Sequence, residues 1–417
     1  TGGNADRAVF ATVARPSADA RGSCRHNDCF TSLRVTRELD LAWNPAVAVW
    51  EVTRGGRRDA GAPSTRAAFE FVAQLGDLAP GLLVLTGGNL LERADLGAIV
   101  GEAARQNLRV SIAPGITAGV TPVAIRRLAD AGVVRVALHL DGPDAVTHDR
   151  VRGTPGAFAV VRAAIAAVRE AGLPLQIDTS LTARTVEAIP RTAELIAGIG
   201  PLLWNVCFVV PVGRTRLDPQ LGPDACERVF NFLAAWSERT GVAVDTTAAP
   251  AYRRVAQRLR WPRAPRPIPV NDGKGLVFVS QTGDVYPSPL LPLTTGNVGE
   301  VPVAELYRKS RLFRALRDTW RLEGKCGLCP FRALCGGSRA RAYATTGNFL
   351  AADPACAWQP PTPSAPWLSP GRAAPPAWPG SRTTAMAATA ASATSCPIGA
   401  TAPRGSAAPT IRRSALP

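Results

Sequence analysis

Four cysteines toward the end of the chain, Cys326, Cys329, Cys335 and Cys356, lie in one segment, KCGLCPFRALCGGSRARAYATTGNFLAADPAC, with the spacing C-x2-C-x5-C-x20-C. Two cysteines separated by two residues can turn their sulfurs toward one point, because the chain curls back within a single tight loop. Gly327 gives that loop conformational freedom, and Gly336-Gly337 lets the backbone pass close to a bulky ligand. Four thiolates satisfy a [4Fe–4S] cube and equally a tetrahedral zinc ion, and spacing alone leaves the two open. The other five cysteines, Cys24, Cys29, Cys207, Cys226 and Cys396, are scattered. Cys207, inside a strand-like run, and Cys226, on a helix-like one, read as packed thiols.

The elements that would position such a site repeat along the chain. A short apolar run rich in β-formers, a loop and a helical stretch recur six times from about residue 46. The strand candidates are VAVWEVT (47–53), GLLVLTGG (81–88), RVSIAPG (109–115), VRVALHLDG (134–142), PLQIDTSLT (174–182) and LLWNVCFVVPVG (202–213). Helical stretches fall at about 65–78, 95–107, 121–131, 157–171, 186–199 and 223–239. Thr121-Pro122 opens one of them and Gly132 follows its end, while Gly172 follows the end of another. Strands buried on both faces and alternating with helices imply parallel pairing with right-handed crossovers. The expected fold class is therefore α/β, a partial (β/α)6 TIM-like barrel, open because six units cannot close eight strands, with a small C-terminal cysteine-rich extension. Functional groups in such a fold sit on loops after the strand C-termini.

Four regions are expected. Residues 1–44 form an irregular lead-in, 45–240 the partial barrel and 241–358 a connector followed by the cysteine-rich unit. Residues 359–417, almost all Ala, Pro, Ser, Thr and Arg, form a tail too poor in apolar periodicity to order itself. Within the third region, GKGLVFVSQTGDVYPS (273–288) reads as a hairpin turning at Gln281-Thr282-Gly283-Asp284, and ELYRKSRLFRALRD (305–318) as one basic amphipathic helix.

Charge narrows the function classes. The formal net charge is +16, and residues 253–341 alone carry 17 Lys or Arg against six Asp or Glu. That stretch lacks interleaved aromatics and any recognition-helix or RNA-binding signature, so nucleic acid is not expected as a partner. An anionic small molecule or peptide suits the charge better. No apolar run approaches the roughly 18 residues needed to cross a bilayer, and the first residues show no apolar signal core, so a cytoplasmic protein without a membrane partner is expected. In a reducing compartment its cysteines would stay free of a disulfide framework.

Five segments together, WEVTR (50–54), LLVLTGGNLLERADL (82–96), LHLDGPDAVTHDRVRG (138–153), FVVPVGR (208–214) and CGGSRARAYATTG (335–347), resemble the radical S-adenosylmethionine (SAM) proteins that carry a SPASM-like or twitch-like C-terminal extension. The cysteine spacing is similar to that of haem-biosynthesis radical SAM decarboxylases, whose substrates are anionic tetrapyrroles; related members modify peptides. The resemblance implies SAM and an auxiliary [4Fe–4S] cluster as cofactors, with zinc as the alternative at the four cysteines, and a ferredoxin- or flavodoxin-type reductant. It implies a SAM pocket touched by Gly87, Gly88 and Asn89 after the second strand, Thr117 after the third, and His139 and Asp141 on the fourth. Thr179 and Ser180 on the fifth, and Gly213 and Arg214 after the sixth, would complete it. His148 and Arg152 would position substrate.

The chain departs from that family in the loop after the first strand. The family carries CxxxCxxC there, three thiolates that leave one iron of a cluster open to SAM. Here GGRRDAGAPST follows Arg54, and no cysteine occurs between Cys29 and Cys207. Gly87-Gly88-Asn89-Leu90 stands where the family shows Gly-Gly-Glu/Asp-Pro, so Asn89 brings no negative charge for an ammonium group. Ser288 stands where many two-cluster members place a cysteine, which limits the expected auxiliary clusters to one. As written, the chain is expected not to cleave SAM: it reads as a radical SAM enzyme whose cluster loop is missing or, alternatively, as a pseudoenzyme or binding protein with a structural or electron-transfer [4Fe–4S] or zinc site.

Overall fold

The computed structural model describes residues 40–53, 62–88, 90–115, 119–213, 215, 218–260 and 268–360. Most of the expected lead-in and nearly all of the tail lie outside the described residues.

Seven strands run β1 (Val47–Thr53), β2 (Leu82–Gly87), β3 (Val110–Pro114), β4 (Val133–His139), β5 (Leu175–Leu181), β6 (Leu203–Phe208) and β7 (Ala243–Thr247), each parallel to its predecessor. Crossover helices separate them: α1 (Thr65–Leu78), α2 (Leu96–Arg105), α3 (Pro122–Ala131), α4 (Ala145–Arg152), α5 (Ala157–Glu170), α6 (Ile189–Ile199) and α7 (Pro223–Thr240). The starts follow cap chemistry. Ser64 and Thr121 accept N–H bonds from Ala67 and Ala124, satisfying donors that a first helical turn leaves open.

The six strand–helix units stand where the periodicity placed them, but the sheet is larger. β7 was hidden because AVDTT alternates weakly and is short. β8 (Leu276–Val279) lies parallel to β1, and β9 (Val285–Tyr286) turns back antiparallel, so the expected hairpin joins the main sheet. The order is β7-β6-β5-β4-β3-β2-β1-β8-β9. Beyond β7 and β9 come α8 (Tyr252–Arg260), α9 (Val303–Lys309), α10 (Arg311–Arg317), α11 (Gly324–Leu328) and α12 (Arg339–Thr346). The single helix expected over 305–318 is two, because Ser310 adopts an extended ψ of 144° and caps α10 by accepting from Phe313 N.

Side-chain alternation gives the sheet two unlike faces. On the helix-covered face, Trp50 meets Phe71 of α1 edge to face and Trp204 meets Trp236 of α7, with centroids 4.9 and 5.0 Å apart. The opposite face is polar: Ser111, Arg135, Gln176, Asp178, Asn205 and Thr247 lie on it, and Asp178 accepts from both Gln176 and Asn205. A polar face inside a barrel is unsuited to a dry core and suited to a ligand.

Replacing Trp204, fully buried with its indole N–H donated to Thr179 Oγ1, by Ala should destabilise the protein by about 3–5 kcal/mol in denaturant unfolding. A loss within about 0.5 kcal/mol would contradict the packing described.

Candidate functional site

The C-terminal ends of β4 and β5 gather the first group of charged residues. Asp141, two residues beyond β4, is almost wholly buried; one carboxylate oxygen accepts from Ser180 N at 2.6 Å and the other lies 3.4 Å from Arg152 Nη1. α4 puts His148 and Arg152 one turn apart on one face, and His148 Nδ1 accepts from Asp141 N at 2.9 Å. The proton of the neutral ring is therefore on Nε2. Gly142 makes this approach possible, since a Cβ there would lie 2.7 Å from the Thr147 side chain. Burial alone would raise the Asp141 carboxyl, but Arg152, His139 and the Ser180 N–H outweigh it and hold it below the usual range. Burial pushes both His139 and His148 down, the latter against the pull of Asp141.

His139, Asp141, His148 and Arg152, expected in two separate roles, thus form one cluster. His148 and Arg152 spend contacts on orienting Asp141. Ser180 follows the polar face, and its hydroxyl, like His139 Nδ1, has no hydrogen-bond partner. Thr179 corrects the expectation that it faces the same pocket. With a side-chain period of two it points to the helix-covered face, where its hydroxyl donates to Leu140 O and accepts from Trp204.

Gly87 has φ +148°, and a Cβ there would fall 2.3 Å from Thr53 O; Gly88 N donates to that same carbonyl. These glycines let the ends of β1 and β2 close on each other. Gly213 has φ +55° with open space around it. Asn89, Thr117 and Arg214 lie outside the described residues.

The four cysteines are free thiols, three buried and Cys335 half-buried. Every sulfur faces an N–H. Cys326 Sγ accepts from Asp353 N at 3.4 Å and faces Arg339 Nη2 at 3.7 Å. Cys329 accepts from Phe331 N, Cys335 from Gly337 N and Cys356 from Trp358 N. Asn271 holds the third cysteine's loop by donating to the carbonyls of Cys335 and Gly337. Gly337 has φ +66°, and a Cβ there would sit 2.5 Å from Arg339 Nη2 and 3.0 Å from Cys326 Sγ.

Arg339 is the residue sequence reasoning missed. It is 1% exposed, its other acceptors are the carbonyls of Gly337, Phe349 and Ala351, and the described residues give it no carboxylate. A buried cation without a counter-anion is costly, and thiolates on a cluster would supply one. Its signal was the basic SRAR run directly after Gly336-Gly337. Without metal, burial pushes the Cys335 thiol up to about 12 and raises Cys329 and Cys356, so those sulfurs rest neutral. Among the described residues no three His, Cys, Asp or Glu side chains converge as a single ion requires. Four thiols in one segment are the donor type that a [4Fe–4S] cube or a zinc ion takes.

Comparison with known proteins gives this arrangement a family. The Radical SAM superfamily profile matches residues 45–196. The AdoMet-dependent heme synthase of Methanosarcina barkeri is 33% identical over 341 residues, covering 76% of this chain and 97% of that protein. The chain belongs to the radical SAM superfamily. A PqqA peptide cyclase of Streptomyces rochei is 30% identical, covering 70% of this chain and 80% of that protein. Among solved structures, Streptococcus suis SuiB is similar with a TM-score of 0.58 at 13% identity, covering 75% and 77% of the two chains. AdoMet-bound anSMEcpe has a TM-score of 0.57 at 14% identity, with 75% and 94% covered. These two share the partial TIM-barrel fold.

Within this superfamily the β1–α1 connection is the anomaly. β1 ends at Thr53, Ser64 caps α1, and residues 54–64 contain no cysteine. Three protein thiolates are not available there, so the residues present do not fit a SAM-binding cluster on that loop. Cys207 sits on the polar face beside Asn205 Nδ2. Cys226 is buried on α7, where burial pushes its thiol up to about 11. Both are packed thiols. Cys24 and Cys29 lie outside the described residues.

Gly337→Ala should cut the iron taken up on anaerobic reconstitution by more than half and lower Tm, because the added methyl must displace Arg339 or a cysteine sulfur; wild-type iron content would rule out the geometry given. Both histidines favour the neutral form when folded. Their contribution to stability is full above the ordinary value of 6.5 and is lost as pH falls below it, because the unfolded chain binds the protons. His148→Asn, which keeps an acceptor for Asp141 N, should flatten the stability loss seen by urea unfolding between about pH 7.5 and about pH 5. An unchanged slope would show that His148 is not buried neutral.

Proposed function

We propose that this chain is a SPASM-type radical SAM-fold protein that handles an anionic tetrapyrrole, holds one auxiliary [4Fe–4S] cluster on Cys326, Cys329, Cys335 and Cys356, and does not cleave SAM. The observation that carries the cluster assignment is Arg339, a buried cation facing a sulfur in a set of four that each meet an N–H donor. The tetrapyrrole reading rests on the haem synthase of M. barkeri, almost all of whose length this chain spans, and on the excess of basic residues over 253–341. A bound cluster supplies one-electron chemistry and a clasp on the C-terminal segment. The chain's own contribution is to orient. Asp141, held by Ser180 N, Arg152 and His148, fixes the β4–β5 rim, and the polar sheet face offers hydrogen bonds to ligand edges. Residues 45–240 would act as the ligand-binding barrel and 241–358 as the cluster-bearing unit, in a cytoplasmic protein served by a ferredoxin- or flavodoxin-type reductant. A peptide substrate is the second reading, favoured by the similarity to PqqA peptide cyclase.

Anaerobic reconstitution followed by metal analysis tests this. About four iron and four sulfide per chain are expected, and 5′-deoxyadenosine should not form with dithionite and SAM. About eight iron, or measurable 5′-deoxyadenosine, would restore the chain to the SAM-cleaving enzymes. Zinc uptake without iron would replace the cluster by a structural ion.

A further inference from the structure

The polar face carries a second buried cation that the cluster does not use. Arg253, in the first turn of α8, is 6% exposed. Its Nη1 has no hydrogen-bond partner, and its nearest carboxylate oxygen, Asp245 Oδ1, is 4.0 Å from Nη2, at the limit of an ion pair. Asp245 is itself about half exposed and already accepts from Thr246 N. The neighbouring Arg254, by contrast, is well matched by Glu227 at 2.6 Å. Guanidinium groups keep their charge in proteins, so Arg253 cannot relieve its burial by losing a proton.

Its position is informative. Asp245 pairs in register with Asn205, which pairs with Asp178, which pairs with His139. All four lie on the face that the crossover helices leave uncovered, and Arg253 reaches the β7 end of that row. A buried guanidinium to which the described residues bring Asp245 as its one weak counter-charge is favoured when an anion lies beside it.

We propose that Arg253 is a carboxylate clamp that fixes one acidic side arm of the tetrapyrrole at the β7 end of the polar face. The clamp rests on the tetrapyrrole reading above and adds the group that recognises it. A guanidinium presents two parallel N–H donors, which suits a carboxylate and not its ester.

The test uses the full-length, cluster-reconstituted protein and two probes, a porphyrin bearing four propionates and its tetramethyl ester, titrated by absorbance and fluorescence. Arg253→Met should weaken binding of the acid roughly ten- to a hundredfold, the loss expected for a charged hydrogen-bonded pair, and leave ester binding unchanged. Arg253→Lys, which keeps the charge without the fork, should recover part of that loss. Arg66→Gln, at a site 90% exposed, is the neutral control. Iron content and Tm of each variant are measured alongside, and should Arg253→Met fail to fold, Arg253→Lys against wild type carries the comparison. If wild type binds the acid but the Arg253 variants bind it equally well, the clamp is wrong and the tetrapyrrole reading stands. If wild type binds acid and ester alike, charge recognition is wrong. If it binds neither, the tetrapyrrole reading itself falls, whatever the iron count.

Discussion

β1 is hydrogen-bonded on both sides, to β2 from the next strand–helix unit and to β8 from more than 220 residues later in the chain. That second pairing is the constraint on which the site depends. It turns what would be an exposed sheet edge into a buried central strand, and it anchors the C-terminal segment directly against the barrel. Asn271, just upstream of β8, then holds the loop of Cys335 and Gly337, while Gly275 N donates to the Tyr307 hydroxyl, itself bonded to Leu41 O. The cysteine segment is thereby held to the same strand that leads into the cysteine-free loop.

Charge compensation organises the rest. Asp141 is buried with its carboxylate against Arg152 and the Ser180 N–H, and its own backbone N–H donates to the His148 imidazole, an arrangement that fixes geometry more than it stabilises. Arg341 and Asp353 pair beside the cysteines, and Asp353 also accepts from Ser338 N. Arg339 and Arg253 are the exceptions. Each is buried with less counter-charge than it needs, one toward the sulfurs and the other toward the polar sheet face.

The chain's relation to its superfamily is asymmetric. Its fold follows the superfamily, while the connection between β1 and α1 contains no cysteine. Nothing in the packing of β1 or α1 registers this difference: Trp50 still packs on Phe71, and Ser64 still caps the helix. A connection between a strand and its crossover helix runs over the barrel mouth, so its length and composition change function with little effect on the core.

Strand and helix positions were legible in the sequence because apolar periodicity and cap residues are local. VAVWEVT and the Thr121-Pro122 helix start needed no distant partner to be read. The spacing of the cysteines and the absence of others between Cys29 and Cys207 were equally plain. Tertiary structure alone decided three things. AVDTT became a strand because β6 offered its free edge, and the 273–288 hairpin joined the main sheet because β1 did the same. Thr179 and Ser180, adjacent in sequence, were sent to opposite faces. The shortage of counter-charge at Arg339 and Arg253 could not be inferred from composition, since a pairing between side chains many residues apart exists only once strands have brought their neighbours within a few ångströms.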